Sequence, residues 1–76
     1  MMPVILKTIR ISRLEKNLTQ EDVAKKLNFT QSYYAKIENG KADITLQNLL
    51  KLLEIFEVNY FDFQKKIKKR VLDDLK

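Results

Sequence analysis

The sequence predicts an all-α fold: five helices packed as one compact domain, the last of them extended. Three observations predict it. The 76 residues contain one proline and one glycine, so the two strongest helix breakers are nearly absent. Apolar residues recur three and four positions apart rather than in strict alternation, which is the spacing of a helix face and not of a strand. Thr19, Thr30, Thr45 and Asn59, all residue types that favour helix starts, each stand just before such a stretch.

A chain of this length forms a single small domain, whose core is marginal unless helical packing or self-association assists it. Cysteine is absent, which removes disulfides and thiolate metal sites. Histidine is absent too, so metal binding and most general-base chemistry lose their usual residues. Neither a metal nor a cofactor is expected. The acids pair across no recognisable cleft, so an enzyme is the least favoured class. Fifteen basic residues against ten acidic ones give a net charge of +5, with a pI near 9.6. That balance favours an anionic partner without identifying it. No apolar run would span a membrane and no signal-peptide pattern is present, so an intracellular, cytoplasmic protein is expected.

Met1 to Val4 reads as a lead-in, with Pro3 suited to the first position of a helix. The first helix is expected over 4–16, with Ile5, Ile9 and Arg13 on its inner side and Leu6 and Leu14 beside them. An arginine in that place needs a partner, because an unpaired buried charge is costly. Arg10 lies about one turn earlier and points outward, as a phosphate contact or as a solvated charge.

The stretch 18–40 reads as two short helices joined by a tight turn. Thr19 caps the first of them, and Glu21 and Asp22 place acids in its first turn, where the helix dipole favours them. The start of that helix is also a natural phosphate site, since its first N–H groups have no partner within the helix. Val23, Ala24 and Leu27 form its apolar stripe, and Asn28 is suited to the left-handed conformation that ends a helix. Thr30 caps the next helix and can also donate to a phosphate. That helix runs to Asn39 and stops at Gly40, where a positive φ is expected.

Advancing about 100° per residue from Gln31 sorts this third helix into two faces. Gln31, Ala35, Asn39, Ser32 and Lys36 fall on one arc. Tyr34 and Ile37 fall on the opposite arc, with Tyr33 and Glu38 at its edges. The first arc holds the groups that read base edges: an amide pairs twice with adenine, a hydroxyl bonds donors or acceptors, and a lysine reaches guanine. On residue types alone, an ordinary solvated face fits Gln31, Ser32 and Lys36 as well. Tyr33 either lies on a sugar-phosphate backbone through its hydroxyl or tucks its ring against the core. Asn39 and Lys41 would face a phosphate backbone.

The fourth helix is expected over 44–56, capped by Thr45, with Leu46, Leu49, Leu50 and Leu53 as its core stripe, widened by Leu52, Ile55 and Phe56. Asn59 caps the fifth. There Phe63, Ile67, Val71 and Leu75 recur every fourth residue, joined by Leu72, and the other sides carry a basic first half. This amphipathic helix can pack on its own domain, pair with a second copy, or meet nucleic acid or an anionic membrane. Self-association through Ile55, Phe61, Ile67 and Val71 is the favoured reading, and a membrane the least favoured.

The segment LTQEDVAKKLNFTQSYYAKIENGK, followed by a leucine-rich helix, resembles the helix-turn-helix of the phage repressor and Cro family, the XRE-type, lambda-repressor-like DNA-binding domains. The resemblance covers roughly residues 5–63 and implies that residues 1–63 form the DNA-binding domain, with 64–76 as a C-terminal extension. It implies base or groove contact by Gln31, Ser32 and Lys36, and DNA-backbone contact by Gln20. It also implies a structural ion pair between Arg13 and Glu38, which the edge position of Glu38 permits; the alternative is two solvated charges. The family often has proline where Ile44 stands, a small residue where Leu53 stands, and glycine at Asn28 and Glu57.

The resemblance implies a sequence-specific transcriptional regulator that binds double-stranded operator DNA as a homodimer, without a small-molecule ligand. Its size is similar to restriction-modification controller proteins and small phage repressors. The competing class is an antitoxin or protein-interaction module that uses the C-terminal helix.

Overall fold

The structure is a computed structural model, and it describes residues 2–75. Met1, expected in the lead-in, and Lys76, expected in the extension, lie outside the described residues. The five helices are α1 (Met2–Glu15), α2 (Gln20–Leu27), α3 (Gln31–Glu38), α4 (Leu46–Ile55) and α5 (Tyr60–Asp74). The first therefore starts before the expected lead-in ends, and Pro3 sits in its first turn. α4 is shorter than expected at both ends.

Each of the last four helices starts on a side-chain cap. Thr19, Thr30 and Thr45 accept through Oγ1 from the N–H of Asp22, Tyr33 and Asn48, and Asn59 accepts through Oδ1 from Asp62, at 2.9–3.1 Å. At α2 the bond is reciprocated, since Asp22 Oδ2 accepts from Thr19 N–H at 2.9 Å and completes a capping box.

Four chain reversals share one closure. Asn17, Asn28, Gly40 and Glu57 have φ values of 57°, 59°, 77° and 57°. In each case the next N–H reaches back five residues: Leu18 to Arg13, Phe29 to Ala24, Lys41 to Lys36, Val58 to Leu53, at 2.8–3.2 Å. After three of the four, that next residue is apolar (Leu18, Phe29, Val58) and packs against the core, as this end motif favours. Asn28 and Gly40 are expected from the sequence; Asn17 is the same residue type as Asn28, and at Glu57 only the glycine common in the resembled family marks the position.

The core draws on every helix: Ile9 from α1, Val23, Ala24 and Leu27 from α2, Tyr34 and Ile37 from α3, Leu52 and Leu53 with Phe56 from α4 and its end, and Phe63 from α5. α1 packs against α3 and α5, and α4 sits between α2 and α5. Two expectations are corrected. Leu14 is exposed, because it lies about 140° around α1 from Ile9. Leu46 and Leu50 are also exposed, at 65% and 47%. α4 is rotated by about 60° from the expected stripe, because the face carrying Leu49, Leu52, Leu53 and Phe56 turns toward its neighbours.

α5 packs on its own domain through Phe63, which is buried, and Ile67, which rests against the core. No helix among the described residues is long and apolar enough to cross a membrane.

Candidate nucleic-acid interface

α3 is fixed from below. Tyr34 and Ile37 are fully enclosed, and Glu38, at its end, is clamped from α1. Arg13 donates through Nε to Glu38 Oε2 and through Nη2 to Oε1, both at 3.0 Å. Its Nη1 donates to Leu18 O at 2.8 Å. The two side chains are 9% and 2% exposed. The fork geometry of guanidinium on carboxylate satisfies both charges at once, which is what a buried pair requires. Gln20 Nε2 donates weakly to Glu38 Oε1 at 3.4 Å.

The protonation states follow from this packing. Burial pushes the Glu38 carboxyl upward, but the hydrogen bonds from Arg13 and the neighbouring polar groups outweigh it and hold the group below its ordinary value. Its carboxylate in turn raises the Arg13 pKa. Burial, reinforced by the adjacent carboxylate, pushes the Tyr34 phenol far up, and its hydroxyl has no hydrogen-bond partner of good geometry among the described residues.

The opposite arc stands outward. Gln31, Ser32, Lys36 and Asn39 are exposed, and Ala35 between them is half-buried. A rigid helix with its floor locked and a continuous row of amide, hydroxyl, methyl and ammonium groups outside is suited to entering a DNA groove. Of the residues expected at the backbone, Thr19, Thr30, Arg10 and Lys41 are exposed, while Gln20 is half-buried and in contact with Glu38. Tyr33 is partly exposed and meets the Phe29 ring edge-to-face, with centroids 5.0 Å apart. The start of α2 is partly filled from within, because the Asp22 carboxylate already holds the Thr19 N–H. That bond lowers the Asp22 pKa.

The residues expected to dimerise are not alike. Ile55 and Ile67 are half-buried against the core, Val71 is half-buried, and Phe61 is 74% exposed. Sequence reasoning missed the Gln20–Glu38 contact and the position of Lys7, which borders a cleft beside the end of α3. No periodic signal distinguishes either.

Two short helices set in this way, with a polar outer face on the second, define the helix-turn-helix class of DNA-binding proteins. The helix-turn-helix family profile matches residues 9–63, and the chain belongs to that family, of the XRE type. It is similar to an uncharacterized HTH-type transcriptional regulator of Methanocaldococcus jannaschii, 44% identical over 46 residues, which cover 60% of this chain and 70% of that protein. No solved structure gives a significant match.

Proposed function

We propose that the chain is a transcriptional regulator that binds operator DNA sequence-specifically as a homodimer, with α3 in the major groove. The observation that carries this reading is the free polar arc of α3, held outward by the buried Arg13–Glu38 pair. Gln31, Ser32 and Lys36 read base edges. Arg10, Thr19, Gln20, Thr30, Tyr33, Asn39 and Lys41 hold the sugar-phosphate backbone, which sets register and affinity but not preference. The relative's name, a transcriptional regulator, supports the same class.

In this reading residues 1–63 bind DNA and 64–76 are a C-terminal extension. Ile55, Phe61, Ile67 and Val71 supply the contact between copies, with Phe61 as its most exposed member. Two copies present their recognition helices about 34 Å apart, one turn of the duplex. The protein acts in the cytoplasm without enzymatic activity, cofactor or small-molecule ligand, and its own concentration sets occupancy. Exposed Leu72 on α5 and Leu75 just past its end favour a second reading, in which that helix holds another protein, as an antitoxin does.

Selection from random duplexes, repeated with Gln31→Ala, tests the main reading. Loss of preference at one base position is expected. Equal affinity for all duplexes by the unaltered protein, at moderate salt, would rule out sequence-specific regulation.

A further inference from the structure

We infer that Lys7, together with Arg10, forms a seat for a phosphate of the DNA backbone beside the C-terminal end of α3. The inference rests on the DNA-binding reading above. The end of a helix is the unfavourable pole for an anion, since its last carbonyls carry partial negative charge. The turn that follows offers no backbone compensation. The N–H groups of Gly40, Lys41 and Ala42 are already donated to the carbonyls of Ile37 and Lys36, at 2.8–3.1 Å. Asp43, next in the turn, is acidic and repels a phosphate. A phosphate on this flank must therefore be held by side-chain cations.

Lys41 supplies one cation from the turn. α1 supplies the others. Lys7 and Arg10, about one turn apart, border the same open cleft of about 530 Å³ as Asn39 and Gly40. Neither makes an ion pair among the described residues, unlike Arg13, Lys16, Lys25 and Lys66. One acid, Glu38, also borders the cleft, but its charge is matched by Arg13 at 3.0 Å. The cleft thus carries two uncompensated positive charges next to the helix that enters the groove. Its amide, on Asn39, can donate to the same phosphate.

The test is a salt titration of the full chain on its selected duplex, with Lys7→Gln, Lys7→Arg and, as a control on α5, Lys65→Gln. Circular dichroism verifies that each variant is folded. Lys7→Gln is expected to weaken binding to all duplexes alike and to reduce the slope of log K against log[salt] by about 0.9 for each protomer bound. Lys7→Arg should restore the slope, and Lys65→Gln should leave it unchanged. An unaltered slope in Lys7→Gln would overturn the seat while leaving the regulator reading intact, provided the unaltered protein still prefers its duplex. Failure of the unaltered protein to bind any duplex would overturn both.

Discussion

Gln20 on α2 and Arg13 on α1 donate to the same oxygen of Glu38, at 3.4 Å and 3.0 Å. A residue proposed to touch the DNA backbone is thereby tied to the pair that seats α3. Glu38→Gln should cost about 3–5 kcal/mol, the range for breaking a buried ion pair. A domain of this size has on the order of 4–11 kcal/mol in total. Urea unfolding checks the stability. Replacing both partners together, as Arg13→Met with Glu38→Leu, should cost less than Glu38→Gln alone. A Glu38→Gln loss of only a few tenths of a kcal/mol would contradict the buried pair.

The same carboxyl sets the response to acid. Its folded pKa lies below the ordinary 4.5, so the folded state holds a proton less readily than the unfolded one. The stability it contributes is fully present above about 4.5 and is lost as pH falls through the lowered folded value. Asp22, lowered from 3.8, acts in the same direction at lower pH. Unfolding free energy measured from pH 7 down to 2 should therefore be flat at first and then fall. A rise on acidification would contradict the sign.

Glu57 holds a φ of 57°, a conformation costing a side-chain-bearing residue about 1 kcal/mol relative to glycine. Its contact with Lys16 is long, at 3.9 Å, and exposed, so its loss offsets less than that. Glu57→Gly should raise the melting temperature. Gly40→Ala should lower it, because φ is 77° and the added Cβ would sit 3.2 Å from Leu6 Cδ1.

Folding and binding should separate at Thr30. Its oxygen accepts from Tyr33 N–H, a role an aspartate fills equally well. Thr30→Asp should leave the melting curve nearly unchanged and abolish DNA binding, since a carboxylate would face a phosphate. A gel-shift titration beside a thermal melt checks both halves. Unimpaired binding would remove Thr30 from the interface.

Phe61 is exposed, so Phe61→Lys should leave the monomer folded. Under the homodimer reading it lowers the mass seen by sedimentation equilibrium to that of a single chain and weakens binding to a two-half-site duplex. A dimer that persists would move the contact elsewhere, with exposed Leu46 and Leu50 as the next surface to alter.

The caps of α2 to α5 were legible because they are chemical: a threonine or asparagine before a periodic stretch has one efficient use; α1, with no such residue before it, begins earlier than expected. The polar face of α3 was legible for a related reason, since Tyr34 and Ile37 left one side for packing. α4 was not, because Leu46, Leu49, Leu50, Leu52, Leu53 and Ile55 spread over about 220° of the helix, and only its neighbours decide which of them are covered. The end at Glu57 was hidden as well. There Val58 packs against the core and the reversal falls on a glutamate, a residue type that does not favour a positive φ, whereas Asn17 is of a type that does. The Gln20–Glu38 bond joins two helices at a distance no local pattern encodes.

The four side-chain caps have a kinetic corollary. Each is decided within four consecutive residues, so the chain needs no remote encounter to know where a helix should begin. Folding then couples helix formation to docking, because helices as short as the eight residues of α2 and α3 are marginal alone. Such locally scripted helical chains reach the native state in microseconds to milliseconds.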